Sequence, residues 1–439
     1  RFDLVLDLSD PPIIELHQPP QGYFAPAKNP VALARAVVEL SQMVGEFEKP
    51  KFFQYRANIC AHSRSEIVGC TQCIDVCSAQ AISPDGDHIK VDPHLCVGCG
   101  ACATVCPSGA MGYAYPRVAD MGARIKLLVK TYTQAGGNDA CLLFHNLSDG
   151  KELISKLGRR GKGLPARVIP LETFHIASLG LDLMLCAMAY GAAQVVVLST
   201  GREAPAYVEA LRKQMGFAQS VMNALGYTGE HFKLVTAADP MSLEREIWSL
   251  PPAVRAKPAA FAPSNDKRGA LNFALDHLAK FAPTPREEIS LAEGAPYGTI
   301  NVNRDACTLC MACVGACPER AILDAKDVPR LKFIERNCVQ CGICEKTCPE
   351  NAITLTPRLL LTPDARRERL LNEAEIFHCV SCGKALGTKP MIDKMLARLG
   401  SHSMFPDAQA LNRLKMCADC RVVDMMQNKN EVTIFDITS

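Results

Sequence analysis

Sixteen of the chain's twenty-two cysteines stand in two blocks, residues 60–106 and 307–348, where neighbouring cysteines are commonly separated by two residues. Thiolates at this spacing bind metals, because one tight loop can point several sulfurs at the same centre. Twenty-two cysteines in 439 residues are too few for a disulfide scaffold, and their clustering is typical of metal binding in a reducing compartment. We therefore predict metal-bound thiolates and a cytoplasmic location.

The second block repeats the pattern C-x2-C-x2-C-x3-C-P, which resembles that of the bacterial two-cluster ferredoxins. The resemblance implies two [4Fe-4S] clusters with crossed ligation, in which three cysteines of one motif share a cluster with the fourth of the other. One cluster is then assigned to Cys307, Cys310, Cys313 and Cys348. The other is assigned to Cys338, Cys341, Cys344 and Cys317.

The first block has a regular second motif and an irregular first one. By the same resemblance, one cluster is assigned to Cys77, Cys96, Cys99 and Cys102, and the other to Cys60, Cys70, Cys73 and Cys106. Nine residues, Ala61–Gly69, separate Cys60 from Cys70 where two are usual. We favour ligation by Cys60, with a [3Fe-4S] cluster as the alternative, and we expect His62 to be a solvated loop residue.

The last four cysteines form two C-x2-C pairs, Cys379 with Cys382 and Cys417 with Cys420. Neither pair is followed by the Cys-Pro step that ends the cluster motifs. Four thiolates in this arrangement suit a tetrahedral zinc ion that stabilises a small zinc-ribbon-like element. A fifth [4Fe-4S] cluster is the alternative. A helix at about 389–399 is expected between the pairs.

Between the two blocks, apolar strand patterns alternate with helical ones, which predicts a doubly wound α/β parallel sheet. Cys141 and Cys186 lie in apolar runs and are expected to be buried as small hydrophobes. Two ligand interpretations stay open here: an anion site at Thr200–Arg202, and a basic docking loop formed by Arg159–Lys162 with Arg167. The predicted strands are Ala140–Phe144, Ala166–Leu171, Gln194–Ser199 and Phe232–Val235, and the predicted helices are 151–158, 178–190, 204–225 and 241–249.

The predicted fold class is α+β multidomain, with two ferredoxin-like dicluster domains around the parallel-sheet domain and a C-terminal zinc-ribbon-like element. Residues 1–50 are predicted to hold a strand over Asp3–Leu8 and a helix from Pro30 to Glu48, in a chain whose lack of an initiator Met indicates a processed or truncated start. The further segments are a dicluster domain at 51–118, the α/β Rossmann-like domain at 119–250, a linker with a helix at 251–296, the second dicluster domain at 297–360, and a helical, zinc-binding domain with four cysteines at 361–439.

Composition excludes several functional classes. Lys and Arg number 48 against 46 Asp and Glu, so nothing in the net charge favours nucleic acid as a partner. Asp182 and Gln194 interrupt the longest apolar stretch, which argues against a transmembrane segment. No residue pattern indicates a catalytic site, so we predict an electron-transfer subunit with no enzymatic activity of its own.

The order of the blocks, with PKFFQYRANICAHSRS leading into the first, resembles the 4Fe-4S proteins found with molybdenum or tungsten formate dehydrogenases of proteobacteria. This implies a metal-pterin dehydrogenase and a second electron carrier as partners. Residues 137–236, including AYGAAQVVVLST, resemble the delta subunit of methyl-viologen-reducing hydrogenases but lack its cysteines, so we expect a cluster-free spacer or docking platform. The alternatives are a polyferredoxin-like subunit of a hydrogenase or heterodisulfide-reductase-type complex, and a catalytic or regulatory iron-sulfur protein.

Overall fold

The computed structural model describes residues 2–46, 48–402, 405 and 407–427. The chain forms two compact units. The predicted segments 1–50 and 361–439 each include residues outside the described part, and the segment boundaries stay predictions. Within the described ranges no helix combines the length and the apolar character needed to cross a bilayer. The first unit comprises Arg1–Tyr297, Val339–Cys341 and Pro357–Thr362, and the second comprises Gly298–Cys338, Gly342–Thr356 and Pro363–Ser439.

The N-terminal elements are shorter than the sequence predicts. Strand β1 (Val5–Leu6) pairs in parallel with β2 (Tyr23–Phe24). It ends at Leu6 because the Asp7 carboxylate accepts hydrogen bonds from the backbone N–H groups of the following turn, Ser9 at 2.9 Å and Ile13 at 2.7 Å. Helix α1 (Pro30–Gln42) begins at an Asn29 cap and ends six residues before the predicted Glu48.

The first cysteine block folds as two similar halves, each with a short helix, closed by a pairing of its ends. Strand β3 (Phe53–Tyr55) pairs antiparallel with the last strand, β8, so the chain enters and leaves side by side. Two hairpins, β4 with β5 and β6 with β7, lie between them. The elements are β4 (Ser63–Arg64), β5 (Ile67–Val68), α2 (Gln72–Asp75), β6 (Ile82–Asp85), β7 (His88–Val91), α3 (Ala101–Val105) and β8 (Met111–Tyr113).

A four-stranded parallel sheet follows in the first unit, with strand order β10-β9-β11-β12. All four strands run the same way because a helix returns the chain after each strand. The elements are α4 (Val118–Gln134), β9 (Cys141–Asn146), α5 (Asp149–Arg160), β10 (Val168–Thr173), α6 (Leu181–Ala189), β11 (Gln194–Ser199), α7 (Pro205–Ala224), β12 (Phe232–Thr236) and α8 (Pro240–Trp248).

Alternate residues of the central strands pack on opposite faces of this sheet. Leu142 and Phe144 join a large core with α4, α6 and α7, whereas Cys141 and Leu143 join a smaller core with α5 and α8. The two central strands, β9 and β11, are buried at every position because both faces are covered by helices. Cys141 and Cys186 are buried, as predicted.

The segment after α8 packs into the same large core, although its proline-rich composition predicts a linker. Ala256 and Ala259 are buried, and α9 (Lys267–Lys280) lies against α6 with its apolar face inward. Asp266 caps this helix by accepting from the N–H of Gly269 at 2.9 Å. Strand β13 (Glu288–Ser290) then pairs antiparallel with residues Arg358–Leu360.

The second unit carries the second cysteine block, except Cys341, and the C-terminal cysteines. The charged stretch after residue 365 is predicted to be helical, and this is wrong: it forms a strand, β18, which pairs antiparallel with β16 and buries Leu371. The elements are β14 (Gly298–Val302), α10 (Ala312–Ala316), β15 (Ile322–Asp324), β16 (Arg330–Phe333), α11 (Ile343–Thr347), β17 (Ile353–Leu360), β18 (Arg369–Glu373), β19 (Ile376–His378), β20 (Ala385–Thr388), α12 (Lys389–Leu399), α13 (Ala408–Arg413) and α14 (Ala418–Gln427).

A buried lysine joins α9 to the first cysteine block. Lys267 Nζ donates to the carbonyl oxygens of Ala103 at 2.9 Å, Thr104 at 2.6 Å and Cys106 at 2.9 Å. An ammonium has three N–H donors, so the three carbonyls satisfy it completely. Burial lowers the pKa of Lys267, and the charge of nearby Asp182 opposes that shift. The lysine therefore fixes the end of α3, directly beside a cysteine.

Replacing Lys267 with Met removes all three donors while keeping the length of the side chain. Because each buried carbonyl left without a partner costs about 1–3 kcal/mol, we expect Lys267→Met to lower the free energy of unfolding by at least ~3 kcal/mol. Anaerobic denaturant titration measures this loss. Lys280→Met, at the exposed end of the same helix, should change it by less than about 0.5 kcal/mol, and equal losses in the two variants would contradict the assigned role.

Candidate cluster and metal sites

One cavity in the first unit brings together Cys77, Cys96, Cys99 and Cys102. Three of these sulfurs come from one motif and Cys77 comes from the other, which is the set predicted for one cluster. The remaining walls are almost entirely apolar, including Phe52, Ile82, Val91, Ala101 and Tyr113. An apolar cavity lined by four cysteines fits a [4Fe-4S] cluster, whose ligands are cysteine thiolates.

The other four cysteines of this block, Cys60, Cys70, Cys73 and Cys106, also lie together. Cys60, Cys73 and Cys106 are buried in one core, and Cys60, Cys70 and Cys106 lie close enough to Cys73 to raise the pKa of its thiol. Tyr55 packs against the same core. Cys60 therefore points toward the other three sulfurs in spite of the nine-residue insertion.

The insertion leaves Cys60 in place because it is a closed hairpin. The N–H of Gly69 donates to the His62 carbonyl at 2.7 Å, and the N–H of Cys70 donates to the Ala61 carbonyl at 2.9 Å. These two hydrogen bonds hold the ends of the insertion side by side. His62 is buried, with Nδ1 at 3.1 Å from the Cys70 carbonyl oxygen, so the expectation of a solvated histidine is wrong.

Burial affects the acidity of these thiols strongly. It raises the pKa of Cys70 and of Cys99 to about 11 and the pKa of Cys73 to about 12. Neighbouring cysteines raise the pKa of Cys73 further, because their negative charges repel its thiolate. Bare thiols in this environment are protonated at neutral pH, so assembly of a cluster must release protons.

In the second unit a similar cavity is lined by Cys307, Cys310, Cys313 and Cys348. This again combines three cysteines of one motif with the fourth of the next. Burial raises the pKa of Cys313 to about 12, whereas Cys310 is exposed. Of the set predicted for the other cluster, Cys338 and Cys344 are buried and Cys317 and Cys341 are half-buried.

A turn of the same form follows the fourth cysteine of every motif. The third residue after that cysteine has a left-handed backbone, with φ between 48° and 73°. These residues are Gln80, Gly109, Arg320 and Asn351. The turn aims a backbone N–H at the sulfur: Ala81, Ala321 and Ala352 donate to Cys77, Cys317 and Cys348 at 3.3 Å, and Met111 donates to Cys106 at 3.4 Å. Such hydrogen bonds favour the negatively charged thiolate.

The three regular trios share a second backbone feature. In each, the residues two and four positions after the first cysteine are left-handed: Gly98 and Gly100, Leu309 and Met311, Gln340 and Gly342. This conformation curls the loop so that its cysteines face inward before the short helix begins. Glycine is needed where space is also limited. A Cβ on Gly100 would lie 2.7 Å from Ser178 Cβ, whereas one on Gly342 meets no atom within 4 Å.

The four C-terminal cysteines form a tighter group. The Sγ atoms of Cys379, Cys382, Cys417 and Cys420 all lie within 4.8 Å of one another, and no other group of three or more Cys, His, Asp or Glu side chains in the described part of the chain is as close. Cys382 and Cys417 have their Sγ atoms 3.7 Å apart. A tetrahedral ion with Zn–S bonds of ~2.3 Å needs ligand sulfurs about 3.8 Å apart.

Backbone donors prepare this group for a metal. The N–H of Cys417 donates to Cys379 Sγ at 3.2 Å, and together with the N–H of Cys382 it lowers the pKa of Cys379 to about 6. The four sulfurs thus fit one small ion, because a cubane cluster would hold its ligand sulfurs further apart than a single ion does.

The two ligand interpretations for the parallel-sheet region do not agree with the structure. The N–H of Thr200, which an anion would need, donates to the Glu203 carboxylate at 3.2 Å, and Ser199 Oγ donates to the same group at 2.7 Å. Arg167 donates to Gln194 Oε1 at 2.7 Å and to the Leu250 carbonyl at 3.1 Å. It braces the strand ends and so does not form a basic docking loop with Arg159–Lys162.

Comparison with known proteins agrees with the two cysteine blocks. Residues 68–110 and 306–353 each match a 4Fe-4S dicluster domain. The chain therefore carries two 4Fe-4S dicluster domains. Protein NrfC of Escherichia coli is 32% identical over 145 residues, a region covering 30% of this chain and 60% of NrfC. The chain thus spans about three fifths of the length of that relative.

Two further relatives match the chain over shorter lengths. Hydrogenase-4 component A of Escherichia coli is 49% identical over 39 residues, which is 9% of this chain and 19% of that protein. Ferredoxin 7Fe of Hydrogenibacillus schlegelii is 41% identical over 39 residues, or 9% of this chain and 50% of the ferredoxin.

Three residues at the cluster sites have no signal in the sequence. Tyr55, Tyr207 and Lys267 contact the cysteines or their loops. None belongs to a cysteine motif, and Lys267 is 161 residues away from Cys106. A single sequence therefore gives no reason to select them over other tyrosines and lysines.

The two equivalent glycines, Gly100 and Gly342, allow a matched test. At both positions the new Ala must adopt a left-handed backbone in spite of its Cβ, which costs about 1–2 kcal/mol. Gly100→Ala also clashes with Ser178, adding about 1–3 kcal/mol. We expect iron release on heating to begin at a lower temperature in Gly100→Ala than in Gly342→Ala, and the reverse order would disprove the close-contact argument.

Proposed function

We propose that this protein is a subunit that relays single electrons through four [4Fe-4S] clusters, between a formate dehydrogenase or similar metal-pterin oxidoreductase and a second electron carrier. The observation that carries the proposal is the cavity in which Cys77 lies with Cys96, Cys99 and Cys102. Crossed ligation of this kind places two clusters next to each other inside one small domain, close enough for electrons to pass between them.

The proposed ligand sets follow the crossed pattern in both domains. In the first domain the sets lie side by side, since Cys102, from one set, packs against the core that contains Cys73, from the other. The protein contributes thiolate ligands, backbone N–H donors and apolar walls that exclude water; the clusters, when bound, supply the one-electron chemistry. The proposed sets are Cys77, Cys96, Cys99, Cys102; Cys60, Cys70, Cys73, Cys106; Cys307, Cys310, Cys313, Cys348; and Cys317, Cys338, Cys341, Cys344.

The exposed Cys310 indicates where a partner would approach. A cluster held by Cys307, Cys310, Cys313 and Cys348 would have one ligand in contact with solvent. Electron transfer between proteins requires a short path, so we assign the surface around Cys310 to exchange with a redox partner.

The partner is inferred from resemblance. The formate dehydrogenase assignment depends on the order of the blocks and on the segment that leads into the first block. The similarity to hydrogenase-4 component A over 39 residues favours a hydrogenase-type complex as the second candidate. Anaerobic purification of the tagged chain from its native host, followed by identification of the proteins bound to it, decides between the two. Recovery with an enzyme of neither class would exclude both.

We also propose that Cys379, Cys382, Cys417 and Cys420 bind zinc as a structural ion. The short distances between their sulfurs favour one tetrahedral ion over a fifth cluster. The element they hold is attached to a cluster loop of the same unit, because Thr388 Oγ1 donates to the Thr308 carbonyl at 2.6 Å and Lys394 pairs with Glu350 at 2.6 Å. The ion thereby stabilises the loop that contains Cys307 and Cys310.

Iron analysis and redox titration test the number of clusters. Sixteen cysteines at four per cluster predict about sixteen iron atoms per chain after anaerobic reconstitution. Electron paramagnetic resonance during titration with dithionite should count about four reversibly reduced clusters. Reversible reduction of two or fewer would contradict the relay. A signal from an oxidised [3Fe-4S] centre that is present in the unmodified protein and persists in Cys60→Ser would exclude the four-cysteine ligation of that site.

Zinc and iron can be separated by one substitution. Cys417→Ser should reduce the zinc content from about one per chain to none while most of the iron remains. The matched variant Cys186→Ser changes a buried cysteine outside all the predicted sites and should leave the zinc content unchanged. If purified protein contains no zinc and Cys417→Ser instead removes about four iron atoms, the C-terminal site holds a cluster.

A further inference from the structure

Lys267 lies between the two proposed cluster sites of the first domain. Its Nζ donates to the carbonyl oxygens of Ala103, Thr104 and Cys106, at 2.9, 2.6 and 2.9 Å respectively. The segment that Nζ contacts joins Cys102, which belongs to one proposed ligand set, to Cys106, which belongs to the other. Only the bonds of a single residue separate the Cys106 carbonyl oxygen from its Sγ, so Nζ lies within roughly 8 Å of that sulfur. One side chain is therefore close to a ligand of each cluster.

The three hydrogen bonds require the charged form of the lysine. A neutral amine has two N–H groups and a lone pair, whereas an ammonium has three N–H groups and no lone pair. Three carbonyl acceptors around one nitrogen therefore fit only the ammonium. The residue is 9% exposed, so water screens this charge weakly. A buried charge interacts more strongly with its surroundings than an exposed charge does.

The cysteine block leaves room for this lysine at one turn. Gly109 is the left-handed residue that follows the motif of Cys106, and a Cβ on it would lie 2.9 Å from Lys267 Cβ. A side chain at this position would therefore collide with the stem of the lysine. The equivalent left-handed residues of the other three motifs, which carry side chains, are Gln80, Arg320 and Asn351. Of the four turns, the one that has glycine is the one against which the lysine packs.

The first turn of α9 is an unfavourable place for a cation as far as the helix itself is concerned. A helix dipole has its positive end at the N-terminus and so disfavours positive side chains there. After the Asp266 cap, the first turn of α9 nevertheless begins with Lys267 and Arg268 and contains no acidic residue. The charge of Lys267 is therefore compensated by the carbonyls of the cysteine block and not by its own helix.

We propose that the charge of Lys267 raises the reduction potentials of both clusters of the first domain. This inference rests on the proposed function and on its ligand sets. Each cluster gains one electron on reduction, and with it one unit of negative charge. A fixed positive charge nearby stabilises the reduced form, and the effect is larger where water is excluded. Because the ammonium lies close to a ligand of each set, both clusters become easier to reduce.

Redox titration followed with electron paramagnetic resonance compares the unmodified protein with Lys267→Met and Lys267→Gln. Both substitutions remove the charge, but Gln keeps two N–H donors and should reduce the stability less. In both variants we expect two couples to become more negative, by about a tenfold change in the ratio of reduced to oxidised cluster, ~59 mV for one electron. The other couples should stay in place.

Lys280→Met is the matched control. It removes one positive charge from the same helix, but at the exposed opposite end. A helix of 14 residues is about 20 Å long, and salt screens exposed charges over such a distance. All couples should therefore keep their potentials in this variant. Shifts as large as those of the Lys267 variants would show that any lost charge has this effect, and the inference would be rejected.

The two Lys267 variants separate the effect of charge from that of structure. A charge effect gives equal shifts in both, although their losses of stability differ. If Lys267→Met does not retain its clusters, Lys267→Gln is compared with Gly100→Ala, which destabilises the start of α3 without changing a charge and should leave the potentials unchanged. An equal shift in Gly100→Ala would reject the inference.

The remaining outcomes distinguish this inference from the proposed function. Unchanged potentials in the Lys267 variants, or shifts that follow their losses of stability, would overturn the role of the charge while the relay remains. Loss of the clusters from both variants would also reject the inference, because the lysine would then be needed for assembly. An unmodified protein whose clusters cannot be reversibly reduced would instead refute the relay itself.

Discussion

The fold of the cysteine blocks depends on one constraint: the buried sulfurs must be surrounded by backbone N–H groups. A buried thiolate is stable only if donors or a metal compensate its charge. The chain supplies donors by using a left-handed residue three positions after the fourth cysteine of each motif, and in three of the four motifs that residue is Gln80, Arg320 or Asn351 and not glycine. Because a side chain in this conformation is strained, the turn is retained at a cost that the bound cluster must offset.

The parallel-sheet part of the first unit acts as more than a spacer. It fixes the end of α3 through Lys267 and contributes Tyr207 to the lining of the cavity that contains Cys99. Ser178, from the turn after β10, limits the space next to Gly100. The cysteine loops of the first domain are thus held on one side by a rigid core, and their geometry does not depend on the bound cluster alone.

Local spacing explains what could be predicted from the sequence. A cysteine motif determines its own loop, so the sets around Cys99 and Cys313 follow from counting residues, together with the crossed pattern of the ferredoxin resemblance. The predicted helix at 389–399 also corresponds closely to Lys389–Leu399, because its start signal, Thr388 followed by Pro390, is local. Contacts between distant segments could not be predicted. The strand Arg369–Glu373 exists because it pairs with Arg330–Phe333, and His62 is buried because the insertion folds back on itself.

The closed hairpin between Cys60 and Cys70 has a practical consequence. Its ends are tied at Ala61 and Cys70, and its tip is the turn at Ser65 and Glu66, where both residues are left-handed. The positions of the Cys60 and Cys70 sulfurs therefore do not depend on the length of the tip. Extra residues inserted between Ser65 and Glu66 would extend the hairpin outward, which makes this turn a suitable attachment point for a surface tether that holds the protein against an electrode.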